Sequence, residues 1–278
     1  NLITQIGGLN TELEQRVHDV TQKNREKDHL LIQQSKLATM GEMINNIAHQ
    51  WRQPLNALSL LFGNLEDAQA FNELSTEYLN QQIVNGFSYI EKMSNTINDF
   101  RDFFSPNKPR EVFSIRQAVD GAVTLVAPSF KSHSVQIEIN IYQDIQLYGI
   151  LNEYAQVILN LLTNAKEAIL SHKESGLIQI NLNSKNGKVY LSVQDNGGGI
   201  EENILQHIFE PYYSTKEGGM GIGLYMSKMI IENSLNGQMQ VCNKQDGAEF
   251  SIIAPMLSEN PDYQKLVEYE QHQEIKNG

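Results

Sequence analysis

The chain has 278 residues, with 21 Lys and Arg against 33 Asp and Glu, a formal net charge of −12. At roughly 100–200 residues per domain, that length accommodates two modest domains, or one domain plus long helices. Its acidity repels phosphate backbones and anionic lipid heads at long range, which excludes nucleic acid as a general partner. A hydrophobic content of 40% is low for one compact globule and too high for general disorder, so part of the chain is expected to be wetted helix. The single cysteine, Cys242, excludes an internal disulfide and a cysteine-rich metal site. No apolar run approaches the roughly 18 residues needed to cross a bilayer, and no signal peptide is expected within these residues. The sequence starts at Asn1 inside a helical pattern, so it is expected to be a fragment lacking an upstream part.

Residues 1–104 carry apolar side chains at three–four spacing. Leu2, Ile6, Leu9, Leu13, Val17 and Val20 make one stripe, which fades through the polar run Thr21–His29. The stripe resumes at Leu37, Met40, Ile44, Ile47 and Trp51. With Leu37 at heptad position a, the register continues to Leu58, Leu61 and Leu65. A second stripe runs Leu79, Ile83, Gly86, Ile90, Met93, Ile97, Phe100, Phe104, with a turn expected within residues 67–76. Two such helices form a hairpin, and a hairpin with one apolar face left open most simply dimerises into a four-helix bundle. Pro106 and Pro109 end the second helix and mark the domain boundary.

Beyond the boundary the pattern becomes mixed. It predicts helices over residues 114–131, 152–172 and 220–235, and strands over 135–141, 177–183, 188–194, 238–243 and 248–254. Asn186-Gly187 and Asp246-Gly247 are the expected hairpin turns. Helices with antiparallel strands in this order suggest a two-layer α/β sandwich. The tail after Pro255 has five acids and two lysines, and reads as a short helix or a solvated end.

Four constellations carry chemistry. Gly219, Gly221 and Gly223 precede a helix, where glycine backbone approaches an anion closely and free N–H groups point at it. The pattern is neither a dinucleotide fingerprint nor a P-loop, and alone it is equally a flexible loop. Asp195, with Gly197 and Gly199 behind it, follows a strand, so its carboxylate is placed to accept from an exocyclic amine such as adenine N6. A tight surface turn is the plain alternative. Asn160 and Asn164 share a helix face, opposite Leu159, Leu162 and Ile169. An amide oxygen suits Mg²⁺, which takes few protein ligands, and an interhelical hydrogen bond is the competing reading. His49 falls at position f, away from the seam, with Arg52 and Gln53 on its face and Pro54 one turn on. A solvated neutral imidazole is a competent nucleophile towards phosphorus near pH 7, although any lone histidine is ordinarily a surface residue.

In this order the constellations resemble sensor histidine kinases of two-component signalling over about residues 30–256. His49-Gln50-Trp51-Arg52-Gln53-Pro54 is similar to the H box and Asn160–Asn164 to the N box. Asp195–Gly199 resembles the G1 box, Ile208–Tyr213 the F box and Gly219–Gly223 the G2 box. The resemblance implies an α plus α/β fold: a dimeric four-helix bundle, one hairpin per chain, followed by a two-layer sandwich of the GHKL (Bergerat) type. It implies a coiled-coil linker over 1–36, a dimerisation and phosphotransfer hairpin over 37–105, an ATP-binding domain over 110–256 and a polar tail over 257–278. His49 would be phosphorylated by ATP with Mg²⁺, with Gln50, Arg52 and Gln53 beside it. Asn164 would hold the metal, with Asn160 on the triphosphate side. Asp195, Gly197 and Gly199 would form the adenine pocket, Phe209 would anchor the lid, and Lys216, Gly219, Gly221 and Gly223 would meet the phosphates. The implied partners are a second copy of the chain, a response-regulator receiver domain and an upstream sensor domain outside this fragment. The implied location is cytoplasmic, with anchoring of the full-length protein in the inner membrane left open.

One departure stands out. The family usually has an acid after the histidine, and here it is Gln50. Its amide oxygen can accept from Nδ1–H but cannot take up a proton. Gln53, where phosphatase-active members often carry Thr or Asn, leaves phosphatase activity unassigned. Two rivals are weaker. A gyrase- or Hsp90-type ATPase needs a general-base Glu at the position of Asn160, and a non-catalytic nucleotide-binding scaffold is at odds with the full set of boxes.

Overall fold

The polar run after Val20 does not interrupt the first helix. A computed structural model describes the backbone of residues 2–105, 109–215 and 221–277, without the side chains of scattered positions in the first, second and last helices. Helix α1 (Leu2–Ala70) runs continuously through Thr21–His29 and through Pro54. The polar run is rich in Gln, Lys, Arg and Glu, which favour helix while burying nothing, so the apolar stripe fades and the backbone does not. Helix α2 (Thr76–Phe104) starts where Ser75 Oγ accepts from the Tyr78 N–H at 3.1 Å. The hairpin closes through Leu61, only 6% exposed, and a Cβ at Gly86 would stand 3.8 Å from both Leu58 and Leu61. Ile83, Ile90 and Ile97 of α2 and Leu55 and Phe62 of α1 repeat every seventh residue yet stay exposed. At the end of α2, Phe100, Phe103 and Phe104 cluster with ring centroids 4.9 and 5.1 Å apart and pack on the α/β core.

The α/β part runs β1 (Glu111–Ser114), α3 (Ile115–Ser132), β2 (Val135–Asn140), β3 (Gln146–Gly149) and α4 (Leu151–His172). It continues as β4 (Gly176–Lys185), β5 (Lys188–Asp195), α5 (Glu202–Leu205), α6 (Gly223–Leu235), β6 (Gln238–Lys244), β7 (Gly247–Pro255) and α7 (Pro261–Asn277). The main sheet has the order β2-β4-β5-β7-β6, and β1 pairs with β3 in a separate ribbon. Strand alternation explains the layering. Ile178, Ile180 and Leu182, then Val189, Leu191 and Val193, then Ala248, Phe250, Ile252 and Ala254 all face inward. Helices α3, α4 and α6 cover that face, which gives two layers around one core.

Two details of the main sheet differ from the sequence reading, and the tail takes the helical one of its two expected forms. Strands β2 and β4 are parallel, where antiparallel pairing was expected; the chain between them crosses over through α4. The β6–β7 turn lies at Gln245-Asp246, one residue early, because Lys244 pairs with Gly247. The tail folds as α7. Asn260, 2% exposed, caps it by accepting from the Asp262 and Tyr263 N–H groups at 3.0 and 3.1 Å. Asp262 accepts from Arg110 at 2.6 Å and from Asn236 at 3.2 Å, and these bonds hold its carboxyl below the usual carboxylate range. The Tyr148 and Tyr263 rings meet at 5.5 Å. None of the described helices is long and apolar enough to cross a membrane.

Candidate functional site

One face of α4 organises the site. Leu159, Leu162 and Ile169 point into the core with no exposure, which leaves Asn160 and Asn164 half-buried on another side of the helix. Asn160 Nδ2 donates to Ser227 Oγ of α6 at 2.9 Å, and Asn164 Nδ2 donates to Asn160 Oδ1 at 3.5 Å. A Cβ at Gly223 would stand 2.6 Å from Asn160 Oδ1, so any side chain at the first residue of α6 would displace the Asn160 amide. Two turns further along α4, a Cβ at Gly197 would meet the backbone of Ala168 and Ile169 at 2.7 and 2.8 Å. One turn beyond that, Gly198 lies over the His172 ring. Residues 160, 164, 168 and 172 recur at four-residue spacing. Eight residues of helix therefore carry the site about 12 Å from the start of α6 to the glycine turn.

Asp195 ends β5 and is 5% exposed. Its Oδ1 accepts from the Gly197 N–H at 2.8 Å and from the Ala248 N–H at 3.4 Å. Both bonds fall on one oxygen, so the other is the acceptor that can face a ligand. Burial pushes the Asp195 pKa up, opposed by these two N–H groups and by the charge of Lys173. Gly247 crosses the Asp195 carbonyl so closely that a Cβ there would overlap it.

The far side is a clasp. Phe209 sits edge-on to Phe250, centroids 6.4 Å apart, with Lys228 Nζ 5.4 Å from its ring centre. The Tyr212 N–H donates to the Gly221 carbonyl at 3.0 Å, tying the two ends of the intervening loop. Gly221 has φ +64, and a Cβ there would press on Tyr212 and Tyr213 backbone at 2.6 Å. Lys216 and Gly219 lie outside the described residues.

The structure thus gathers Asn160, Asn164, Asp195, Gly197 and Gly223 along α4, with Gly199 in the adjoining turn. The histidine set stands apart on α1. Gln50 is half-buried there, Arg52 and Gln53 are exposed, and the His49 side chain lies outside the described residues. Sequence reading missed Ser227 and Gly247. Only Gly247 carried a signal, the Asp246-Gly247 pair, which was read as turn chemistry alone.

Residues 149–258 match the family model described as histidine kinase-, DNA gyrase B- and HSP90-like ATPase. The chain is 30% identical over 243 residues to the two-component sensor PprA of Pseudomonas aeruginosa, covering 84% of this chain and 26% of that one. The chain belongs to the sensor histidine kinase family. A second relative, the sensor protein FixL of Bradyrhizobium diazoefficiens, is 25% identical over 253 residues, covering 88% of this chain and 50% of that one. The chain therefore spans half or less of the length of these relatives. Among solved structures, the catalytic domain of histidine kinase ThkA is 26% identical over 54% of this chain and 97% of that one, with a TM-score of 0.49.

The donors on the α4 face are compatible with a phosphate-borne Mg²⁺. Among the described residues no group of three or more His, Cys, Asp or Glu surrounds a common point. A cation on the α4 face would therefore take the Asn164 amide oxygen and draw its other ligands from phosphate and water, as Mg²⁺ prefers.

Proposed function

We propose that this chain is a kinase core that transfers the γ-phosphoryl group of ATP to His49, and from there to an Asp of a response-regulator receiver domain. The observation that carries the reading is the α4 face. An aligned pair of amides lies at one end, and a buried carboxylate with its glycine turn lies at the other. Residues 110–256 act as the ATP-binding domain, 37–105 as the phosphoacceptor hairpin, 1–36 as the signalling linker and 257–278 as the tail. The exposed heptad ridges of Ile83, Ile90 and Ile97 and of Leu55 and Phe62 support a homodimeric bundle, because exposed aliphatic ridges at this spacing bury best against their own copy.

Asp195 accepts from the adenine amine. Gly221, Gly223 and the start of α6 present N–H groups to the phosphates, and Phe209 and the Tyr212–Gly221 clasp hold the lid ends. Mg²⁺, held by Asn164, supplies charge neutralisation when bound. The neutral His49 imidazole attacks phosphorus through Nε2, the bond to the bridging oxygen breaks, and ADP departs with the electron pair. Gln50 orients the ring by accepting from Nδ1–H, and the surplus proton passes to water.

Incubation with γ-labelled ATP and Mg²⁺ tests this. Acid-labile, alkali-stable label is expected on the wild type, none on His49→Gln, and about 100-fold less on Asn164→Ala. Label persisting on His49→Gln overturns the reading. Gln50→Glu, which restores a proton acceptor, is expected to raise the autophosphorylation rate about 10-fold or more. An unchanged rate in the same assay counts against the base argument.

A further inference from the structure

Within the proposed kinase reading, on which this rests, the glycine turn after Asp195 needs an external brace. Gly198 and Gly199 have φ of +95 and +82, conformations glycine adopts at no steric cost, so they do not fix the turn themselves. Two contacts from the β6–β7 hairpin hold it. The Gly198 N–H donates to the Asp246 carbonyl at 2.9 Å. Asn243, near the end of β6, uses both atoms of its amide on one residue. Its Oδ1 accepts from the Ile200 N–H at 2.8 Å, and its Nδ2 donates to the Ile200 carbonyl at 2.7 Å. A side chain here imitates a strand rung and pins the exit of the turn. The amide also packs on Gly199, where a Cβ would stand 3.1 Å from Oδ1.

We infer that Asn243 is a positioning residue for nucleotide, setting the separation between the Asp195 carboxylate and the Gly199 backbone that a flat base must enter. Asn243 lies on the solvent side of the hairpin, outside the hydrophobic core, so no core packing is lost with its side chain. Without the amide both backbone groups of Ile200 turn to water, and the exit of the turn loosens while the Gly198–Asp246 bond keeps its middle in place, so nucleotide must order that exit on binding. The cost falls on binding of the base. It does not fall on the transfer step, whose groups lie at the other end of α4.

The test measures ATP and ADP affinity with Mg²⁺ by calorimetry, together with KM and kcat of autophosphorylation. Three chains are compared: wild type, Asn243→Ala and Asn243→Asp. Asn243→Ala is expected to weaken both nucleotides about 10-fold and raise KM equally, leaving kcat at saturating ATP and the melting temperature unchanged. Asn243→Asp keeps the shape and the acceptor but sets a carboxylate oxygen against the Ile200 carbonyl, so it is expected not to rescue binding. Unchanged affinity in Asn243→Ala, rescue by Asp, or a parallel fall of kcat and melting temperature overturns the proposal. Wild type that binds no nucleotide overturns the kinase reading itself.

Discussion

Asp195→Asn is expected to weaken nucleotide binding roughly 100-fold while leaving the fold intact or firmer. The replacement keeps an oxygen for the Gly197 and Ala248 N–H groups. It puts an NH₂ where the second carboxylate oxygen stood, so donor would face donor at an adenine amine. A buried mismatch of this kind costs about 3 kcal/mol, roughly 100-fold in affinity. Stability moves the other way. Burial raises the Asp195 pKa in the folded state above its ordinary 3.8, so the fold favours the protonated carboxyl. That preference is fully present below pH 3.8 and is lost as pH rises through the folded-state pKa. The Asn side chain does not ionise, so the variant is expected to match or exceed the wild-type melting temperature at pH 7, with the gap closing as pH falls towards 4. A melting temperature well below wild type at pH 7 would show that Asp195 is primarily structural.

Gly247→Ala is expected to give the largest loss of stability of any single methyl addition described here. The new Cβ would overlap the Asp195 carbonyl, and backbone cannot swing aside as a side-chain tip does. Strands β5 and β7 would separate next to the Gln194–Glu249 pair, and the Asp246–Gly198 bond would go with them. Overpacking of this kind costs about 1–3 kcal/mol, readable as a lower denaturation midpoint. Gly63→Ala provides the contrast. A Cβ there meets nothing within 4 Å on exposed helix, so the change is expected to stabilise by about 0.5–1 kcal/mol. Equal effects of the two substitutions would refute the close-approach argument.

Much of the fold was legible because burial writes itself into periodicity. The alternation of β4, β5 and β7 and the four-residue recurrence in α4 are consequences of one buried face each. Direction leaves no such mark: a strand buried on one face alternates identically in parallel and antiparallel pairs, so the β2–β4 pairing was hidden. Strands β1 and β3, four residues each, are too short for a period to show. In the site, glycines and paired amides announced themselves because their chemistry needs fixed spacing along the chain. Asn243 is joined to Ile200 across 43 positions by a side-chain amide, and an exposed Asn near a turn looks like any other. Ser227 is similar, a buried hydroxyl in α6 whose partner Asn160 lies 67 residues earlier.

The contact between Arg110 and Asp262 has a mechanical meaning. Arg110 stands where the chain enters the α/β unit and Asp262 where it leaves, and the two side chains are 2.6 Å apart. Tension between the hairpin and α7 therefore reaches the sandwich at two adjacent points. A half-exposed ion pair resists it first, a link worth about 0.2–1 kcal/mol, while the strands between feel almost no load until it opens. The short edge ribbon of β1 and β3 comes next in line, since β1 follows Arg110 directly. A strain arriving along the helices would unpick this corner of the unit before it disturbed the α4 face.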